Sequence, residues 1–181
     1  MNRQQSLSGD MVKRIFKECF HMIVIPVLLA LFCSKVLIVN ATIPSGSMEN
    51  TIRPGDRVIG SRLSYLYHGP ERRDVVIFRF PDDESQVFIK RVVGLPGETL
   101  RIVDGRVYMN DSETPLKEIY LKEAPRGNSG PFKVPEDSYF VMGDNRNHSH
   151  DSRYWENHYV KKEEILAKAV FRYYPRPGKV K

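Results

Sequence analysis

Ser45, Ser47, Lys90 and the polar run Gly143-Asp-Asn-Arg-Asn-His-Ser-His-Asp-Ser-Arg153 are the residues of this chain whose types and spacing can do chemistry. A serine hydroxyl becomes a nucleophile beside a base, and a lysine becomes a base where its ammonium form is disfavoured. Lys90 lies in Val87-Phe-Ile-Lys-Arg-Val-Val-Gly-Leu-Pro-Gly97, where strand alternation puts it on the face of Phe88 and Val92 and turns Arg91 the other way. Between apolar neighbours its ammonium is partly desolvated, which lowers its pKa. The plainer alternative is a lysine snorkelling at a sheet rim. Ser45-Gly46-Ser47 alone is as much a turn as a nucleophile. The third run reads equally as a Gly/Asn/Asp turn with surface charges. It also offers a Ser-His-Asp arrangement through His148, His150 and His158 near Asp151, or a metal site from His148, His150, Asp144 and Asp151 that lacks a convincing third ligand spacing.

Taken together and in order, these segments resemble the boxes of type I signal peptidases. Ile43-Pro-Ser-Gly-Ser-Met-Glu-Asn-Thr-Ile52 is similar to the family's Pro-Ser-x-Ser-Met-x-Pro-Thr-Leu nucleophile box. The Lys90 segment matches its lysine box, and residues 143–153 match Gly-Asp-Asn-Arg-x-x-Ser-x-Asp-Ser-Arg. A weaker fourth match is Arg72-Arg-Asp-Val-Val-Ile-Phe-Arg-Phe-Pro81. Two positions depart from the pattern: Asn50 stands where the family has Pro, and Arg73 where it has Gly, a residue that serves positive φ. The resemblance implies a serine endopeptidase with a Ser/Lys dyad, in which neutral Lys90 takes the proton of Ser47 and an acyl-enzyme forms. It implies that Ser45 and the Ser47 N–H face the oxyanion and that Ser149 orients the Lys90 amine. Asp144, Arg146, Asp151 and Arg153 are then a supporting polar and ionic network. It implies signal peptides of exported preproteins, cut after small residues in an Ala-x-Ala manner, as substrates, and neither cofactor nor metal. A self-cleaving repressor shares such a dyad but needs an N-terminal helix-turn-helix, which this chain lacks. A membrane-tethered β module that binds cell-surface partners is the non-enzymatic alternative.

Something must hold these residues in place, and the chain divides into two kinds of sequence. Phe20 to Val39 is an apolar run of about 20 residues, long enough at 1.5 Å per residue for a bilayer core of roughly 30 Å. Lys35 near one end, and His21 and Pro26 near the other, spare the middle of the membrane a charge. Arg3, Lys13, Arg14 and Lys17 precede the run against Asp10 and Glu18, which puts the N-terminus in the cytoplasm. The division expected is a cytoplasmic tail over 1–18, a transmembrane anchor over 19–39 and an extracytoplasmic catalytic β domain over 40–181. The protein is then single-pass in the cell membrane, with the lipid bilayer as a partner. A cleaved signal peptide and a buried core helix are the alternatives. The run exceeds the usual h-region of 7 to 15 residues, and nothing amphipathic shows in it.

With 181 residues, 41% hydrophobic and 10% aromatic, the chain is neither polytopic nor disordered. Its net charge is +6. Residues 1–39 hold five Lys/Arg and two Asp/Glu, so 23 basic against 20 acidic residues remain outside, too balanced for a nucleic-acid surface. Cys19 and Cys33 bracket the apolar run, which leaves the outer domain without a thiol.

That domain is expected to be mostly β: an antiparallel barrel-like or folded sheet with strands at 57–61, 74–80, 87–95, 100–103, 106–109, 139–143 and 167–174. Asp104-Gly105 signals a two-residue hairpin. Residues 110–135 read as a polar surface connection, and 161–168 as a short helix. The family resemblance also marks the modest loop between Gly105 and Pro135 as the place where longer relatives carry an extra β domain. Ile43 and Met48 are expected to join an apolar rim that touches lipid.

Overall fold

The computed structural model describes residues 2–181, which form two compact units that divide between Leu37 and Ile38. The side chains of residues 1–10, 12 and 33 lie outside the described residues, so Arg3, Asp10 and Cys33 are not placed.

The first unit is one helix, α1 (Asn2–Val36), with Pro26 inside it and Lys35 in its last turn. Its stretch Lys13–Val36 is long and apolar enough to cross a membrane, and none of it is buried. Polar groups along it are satisfied locally, as hydrocarbon would require. His21 Nδ1 lies 2.6 Å from the Lys17 carbonyl, and the Ser34 hydroxyl donates to the Leu31 carbonyl at 2.9 Å. Ile38 and Val39, part of the apolar run by composition, are strand residues.

The second unit contains eleven strands: β1 (Ile38–Thr42), β2 (Arg57–Ser61), β3 (Val75–Phe80), β4 (Asp83–Gly94), β5 (Thr99–Val103), β6 (Arg106–Met109), β7 (Ser129–Lys133), β8 (Ser138–Met142), β9 (Val160–Lys161), β10 (Ile165–Tyr174) and β11 (Gly178–Lys179). The larger sheet runs β1-β2-β10-β3-β4-β8-β9 with β11 paired to β10, and the smaller runs β6-β5-β7. Every pairing is antiparallel, and the larger sheet is folded rather than closed into a barrel.

Strand β3 sits at the centre because its run of branched and aromatic residues is buried on both faces. Val75 and Ile77 pack with Ile43, Met48, Ile52 and Val58, while Val76 and Phe78 pack with Val92, Tyr139, Val141 and Trp155. A third cluster, built around Leu100, Phe132 and Phe140, joins the smaller sheet to β4 and β8. The Asp104-Gly105 turn has positive φ at both positions, 49° and 76°, as a type I′ hairpin requires.

Two local expectations are corrected. Residues 161–168 form a single 3₁₀ turn (Lys162–Glu164) and then enter β10, because two strand partners, β2 and β3, outweigh the helical propensity of Glu-Glu-Ile-Leu-Ala. The 110–135 connection is not wholly a surface loop. Its β7 pairs with β5 and buries Phe132.

Candidate active site

The Ser45–Ile52 segment is a tight loop whose apolar residues face inward. Ile43, Met48 and Ile52 are at most 2% exposed and anchor it to β2 and β3, each burial contributing about 1.5–3 kcal/mol. The lipid rim expected of Ile43 and Met48 is therefore corrected: the protein interior takes both side chains. Within the loop, Glu49 N–H donates to the Gly46 carbonyl and Ile52 N–H to the Met48 carbonyl, both at 2.9 Å. The 143–153 segment clamps it from the other side. Asn145 donates from its backbone N–H to the Ser47 carbonyl and from Nδ2 to the Gly46 carbonyl, each at 3.0 Å. Both carbonyls are thus held, while the Ser47 N–H takes part in no hydrogen bond among the described residues.

Strand β4 brings Lys90 to this loop. Its register is fixed by the Val76–Lys90 pair, and Lys90 Nζ lies 2.5 Å from Ser47 Oγ, with Lys90 4% and Ser47 7% exposed. Burial is the main influence on the amine and lowers it from 10.5 to about 8; Asp151 and Asp144 act against that shift and Arg153 with it. Ser45 Oγ lies 3.4 Å from Ser47 Oγ. The arrangement thus supplies a hydroxyl, a base in contact with it that is partly neutral near pH 8, and a free N–H beside a second hydroxyl.

The third box works through two carboxylates. Asp151 accepts from the Gly143 N–H at 2.9 Å, the Ser149 hydroxyl at 2.7 Å and the Arg153 guanidinium at 2.8 and 2.9 Å. Ser149 has one hydroxyl proton and gives it to this charged acceptor. No hydrogen bond joins Ser149 to Lys90 among the described residues. Asp144 is held by Arg91, Nε to Oδ1 and Nη2 to Oδ2, both at 2.7 Å, and by the Thr51 hydroxyl at 2.5 Å. Arg146 pairs with Glu118 and donates from Nε to the Gly143 carbonyl at 3.0 Å. The four network residues therefore meet at the loop, where Arg153 also donates from Nη2 to the Arg146 carbonyl at 2.7 Å, but most of their ion pairs are made with residues outside the four. Among the four, the one ion pair between described residues joins Asp151 and Arg153.

Sequence reasoning missed Thr51, Arg91, Glu118 and Tyr120. The Tyr120 ring lies under the Arg91 guanidinium, 4.2 Å from its centroid, and its hydroxyl donates to Glu118 at 2.6 Å. No motif or spacing signal marked Glu118, which the structure brings to the buried Arg146 from the 110–135 connection.

The histidines take no part in the dyad. His148 and His150 are exposed and line the cleft, and His150 stacks on Tyr154. His158 Nδ1 lies 2.7 Å from the Ser152 carbonyl and its ring packs against Phe132. Asp151 and Asp144, the carboxylates that a triad or a metal site would need, are engaged by Arg153 and Arg91.

The cleft above Ser47 and Lys90 has a volume of about 610 Å³ and is walled mainly by apolar residues, including Ala41, Ile43, Ile77, Phe88 and Ile89. The family described as signal peptidase, peptidase S26 matches residues 16–174. This chain belongs to that family. A probable signal peptidase I-2 of Synechocystis sp. is 43% identical over 140 residues, 75% of this chain and 62% of that protein. Its probable signal peptidase I-1 is 36% identical over 169 residues, 90% of this chain and 84% of that protein. A crystal structure of a signal peptidase I from Enterococcus faecalis V583 is 33% identical and covers 56% of this chain and 97% of its own, with a TM-score of 0.48. This S26 chain thus matches less than two thirds of the first relative's length and most of the second's.

Proposed function

We propose that this chain is a membrane-bound serine endopeptidase that removes N-terminal signal peptides from exported preproteins, with Ser47 as nucleophile and Lys90 as its general base. The observation that carries the assignment is the 2.5 Å contact between the Ser47 hydroxyl and a buried lysine amine whose pKa is lowered to about 8. In the neutral form Lys90 takes the hydroxyl proton as Ser47 Oγ attacks the scissile carbonyl. The proton passes to the leaving amine, an ester of Ser47 remains, and Lys90 then activates water to release it. The unbonded Ser47 N–H and the Ser45 hydroxyl face the developing oxyanion. Ser149 acts one step back, through Asp151, on the loop that carries Gly143 and Asn145.

Substrate binding follows from the strand edges. Strand β1 pairs with β2 alone, and β4 pairs with β8 only from Arg91 onward, so the Ala41–Ile43 and Gln86–Lys90 edges both border the cleft without a strand partner. An extended peptide laid between them gains main-chain hydrogen bonds on both sides. Alternate side chains of that peptide then point at the apolar floor, where small residues at two positions separated by one fit. Helix α1 spans the membrane once, with its basic N-terminal side in the cytoplasm and residues 38–181 outside.

The test is cleavage of a preprotein by the intact chain and by Ser47→Ala and Lys90→Ala. Loss of about a thousandfold or more in kcat for each, with the fold intact, is expected. Equal activity in all three overturns the assignment.

A further inference from the structure

His148 and His150 line the cleft beside Ser45, Gly46 and Ser47, both are exposed, and the dyad leaves both unused. Their placement follows from the residue between them. Ser149 has extended backbone, φ −123° and ψ 125°, and its buried hydroxyl donates to Asp151 at 2.7 Å. Alternation then turns its two neighbours to the opposite face, side by side toward the cleft. Gly143 brings this segment to the nucleophile. A Cβ added to Gly143 would stand 2.3 Å from Ser149 Oγ and 2.4 Å from the Ser47 carbonyl, so the stretch that carries both rings runs against the Ser47 loop.

Which part of a substrate meets the rings follows from the peptidase reading above, on which this inference rests. In that reading the residues before the cut lie between the Ala41–Ile43 and Gln86–Lys90 edges, where Lys90 is the one charged side chain that lines the cleft. The residues after the cut leave past Ser47, and the wall on that side is His148 and His150. No acidic side chain lines the cleft among the described residues, and the Lys90 amine is committed to Ser47. The charges around the pair are mostly engaged with other groups. Asp151 pairs with Arg153, whose guanidinium lies 5.0 Å from the centroid of the Tyr154 ring on which His150 stacks. Arg146 pairs with Glu118, and Glu123 accepts from Asn147 at 2.9 Å. Glu49 is exposed, and its carboxylate stands across the nucleophile loop beside Gly46. The rings are thus the wall's own means of carrying charge, and imidazole is the side chain that gains and loses it between pH 5 and 8.

We propose that His148 and His150 are specificity-determining residues that read charge on the leaving segment of the substrate, favouring an acidic residue just after the cut and disfavouring a basic one when the rings are protonated. Peptides of one sequence carry Asp, Gln or Lys at the second position after the cut, and a control set carries them between the two small residues before it. The readout is kcat/KM, which covers the steps up to departure of the leaving segment, taken as the Asp-to-Lys ratio at pH 6 and at pH 8.5. Within that ratio the titration of Lys90 cancels, and so does any general loss in a variant. For the wild type the ratio is expected to rise about fivefold from pH 8.5 to pH 6, the effect of one or a few exposed ion pairs, with Gln between the two. His148→Gln combined with His150→Gln should hold the ratio flat, and His148→Lys combined with His150→Lys should hold it high at both pH values. A wild-type ratio that moves less than about twofold overturns the proposal. So does a ratio that still moves in the double Gln variant, or one that moves equally when the charge precedes the cut. If Ser47→Ala cuts the peptides as well as the wild type does, the peptidase reading itself fails; cutting that depends on Ser47 with a flat ratio refutes the histidine wall alone.

Discussion

Lys90 gives the most quantitative expectation. Burial lowers its amine from 10.5 to about 8, against the pull of Asp151 and Asp144, which favour the ammonium. At pH 7 about one tenth of the enzyme then carries a neutral Lys90, against about one part in three thousand for an unperturbed lysine. kcat/KM measured on a preprotein or peptide should therefore rise about tenfold between pH 7 and pH 9 and level off above the midpoint. Asp151→Asn removes a carboxylate that favours the ammonium, so the midpoint should move below that of the wild type. A midpoint near 6.5 that disappears in His148→Ala or His150→Ala would refute the lysine base. The same shift has a consequence for stability. A lysine whose folded pKa lies below its unfolded one penalises the fold in full below pH 8, and the penalty is relieved as pH rises from 8 to 10.5. A shift from 10.5 to about 8 corresponds to about 3 kcal/mol. Lys90→Met removes that penalty and loses the hydrogen bond to Ser47, worth about 1 kcal/mol, so it should stabilise the protein by about 2 kcal/mol at pH 7 while abolishing activity. The gain should vanish by pH 10.5 in thermal unfolding. A destabilised Lys90→Met at pH 7 would show that desolvation is not what depresses the amine.

Three further outcomes follow from particular contacts. Arg91→Leu should cost about 3–5 kcal/mol in denaturant unfolding, because it leaves the buried Asp144 carboxylate with only the Thr51 hydroxyl; an apolar replacement of both partners should recover most of the loss. Gly143→Ala would place a Cβ 2.3 Å from Ser149 Oγ and 2.4 Å from the Ser47 carbonyl, so the loops must part and kcat should fall about a hundredfold with a smaller change in KM. Arg73→Gly relieves a left-handed residue at φ 77°, a gain of about 1 kcal/mol, and loses a 3.0 Å hydrogen bond to the Lys117 carbonyl of about the same worth. Its midpoint of unfolding and its activity should both stay close to wild type.

What was legible in the sequence divides along a physical line. Strands β2 and β6 fall on the residues that alternation and the Asp104-Gly105 turn mark, because pattern and turn chemistry are local. The dyad was legible only through resemblance to a family, since no local rule joins Ser47 to a lysine 43 residues away. Ile43 and Met48 looked like lipid contacts because an apolar side chain carries no mark of whether lipid or protein will bury it; the backbone decides that, through the hydrogen bonds that hold Ile43 to Gly55 and Asp56 and the turns after Ser45 that roll Met48 inward. The arginines show the limit most sharply. Each of Arg91, Arg146 and Arg153 is buried against an anion, and the sequence marks two of those anions, Asp144 and Asp151, but gives no sign that Arg146 takes a third. It cannot say that the match is Glu118, because that carboxylate comes from a polar stretch with the composition of a solvated loop. Groups assigned to the reaction are fixed by chemistry that needs particular residues at particular offsets. The ions that hold them are fixed by proximity in space, and any carboxylate that reaches the guanidinium will do. The Asn50 and Arg73 departures belong to this second kind. Asn50 donates to the Tyr120 carbonyl at 3.0 Å and Arg73 to that of Lys117, so both tie the Glu118 segment to the site through contacts that no local pattern encodes.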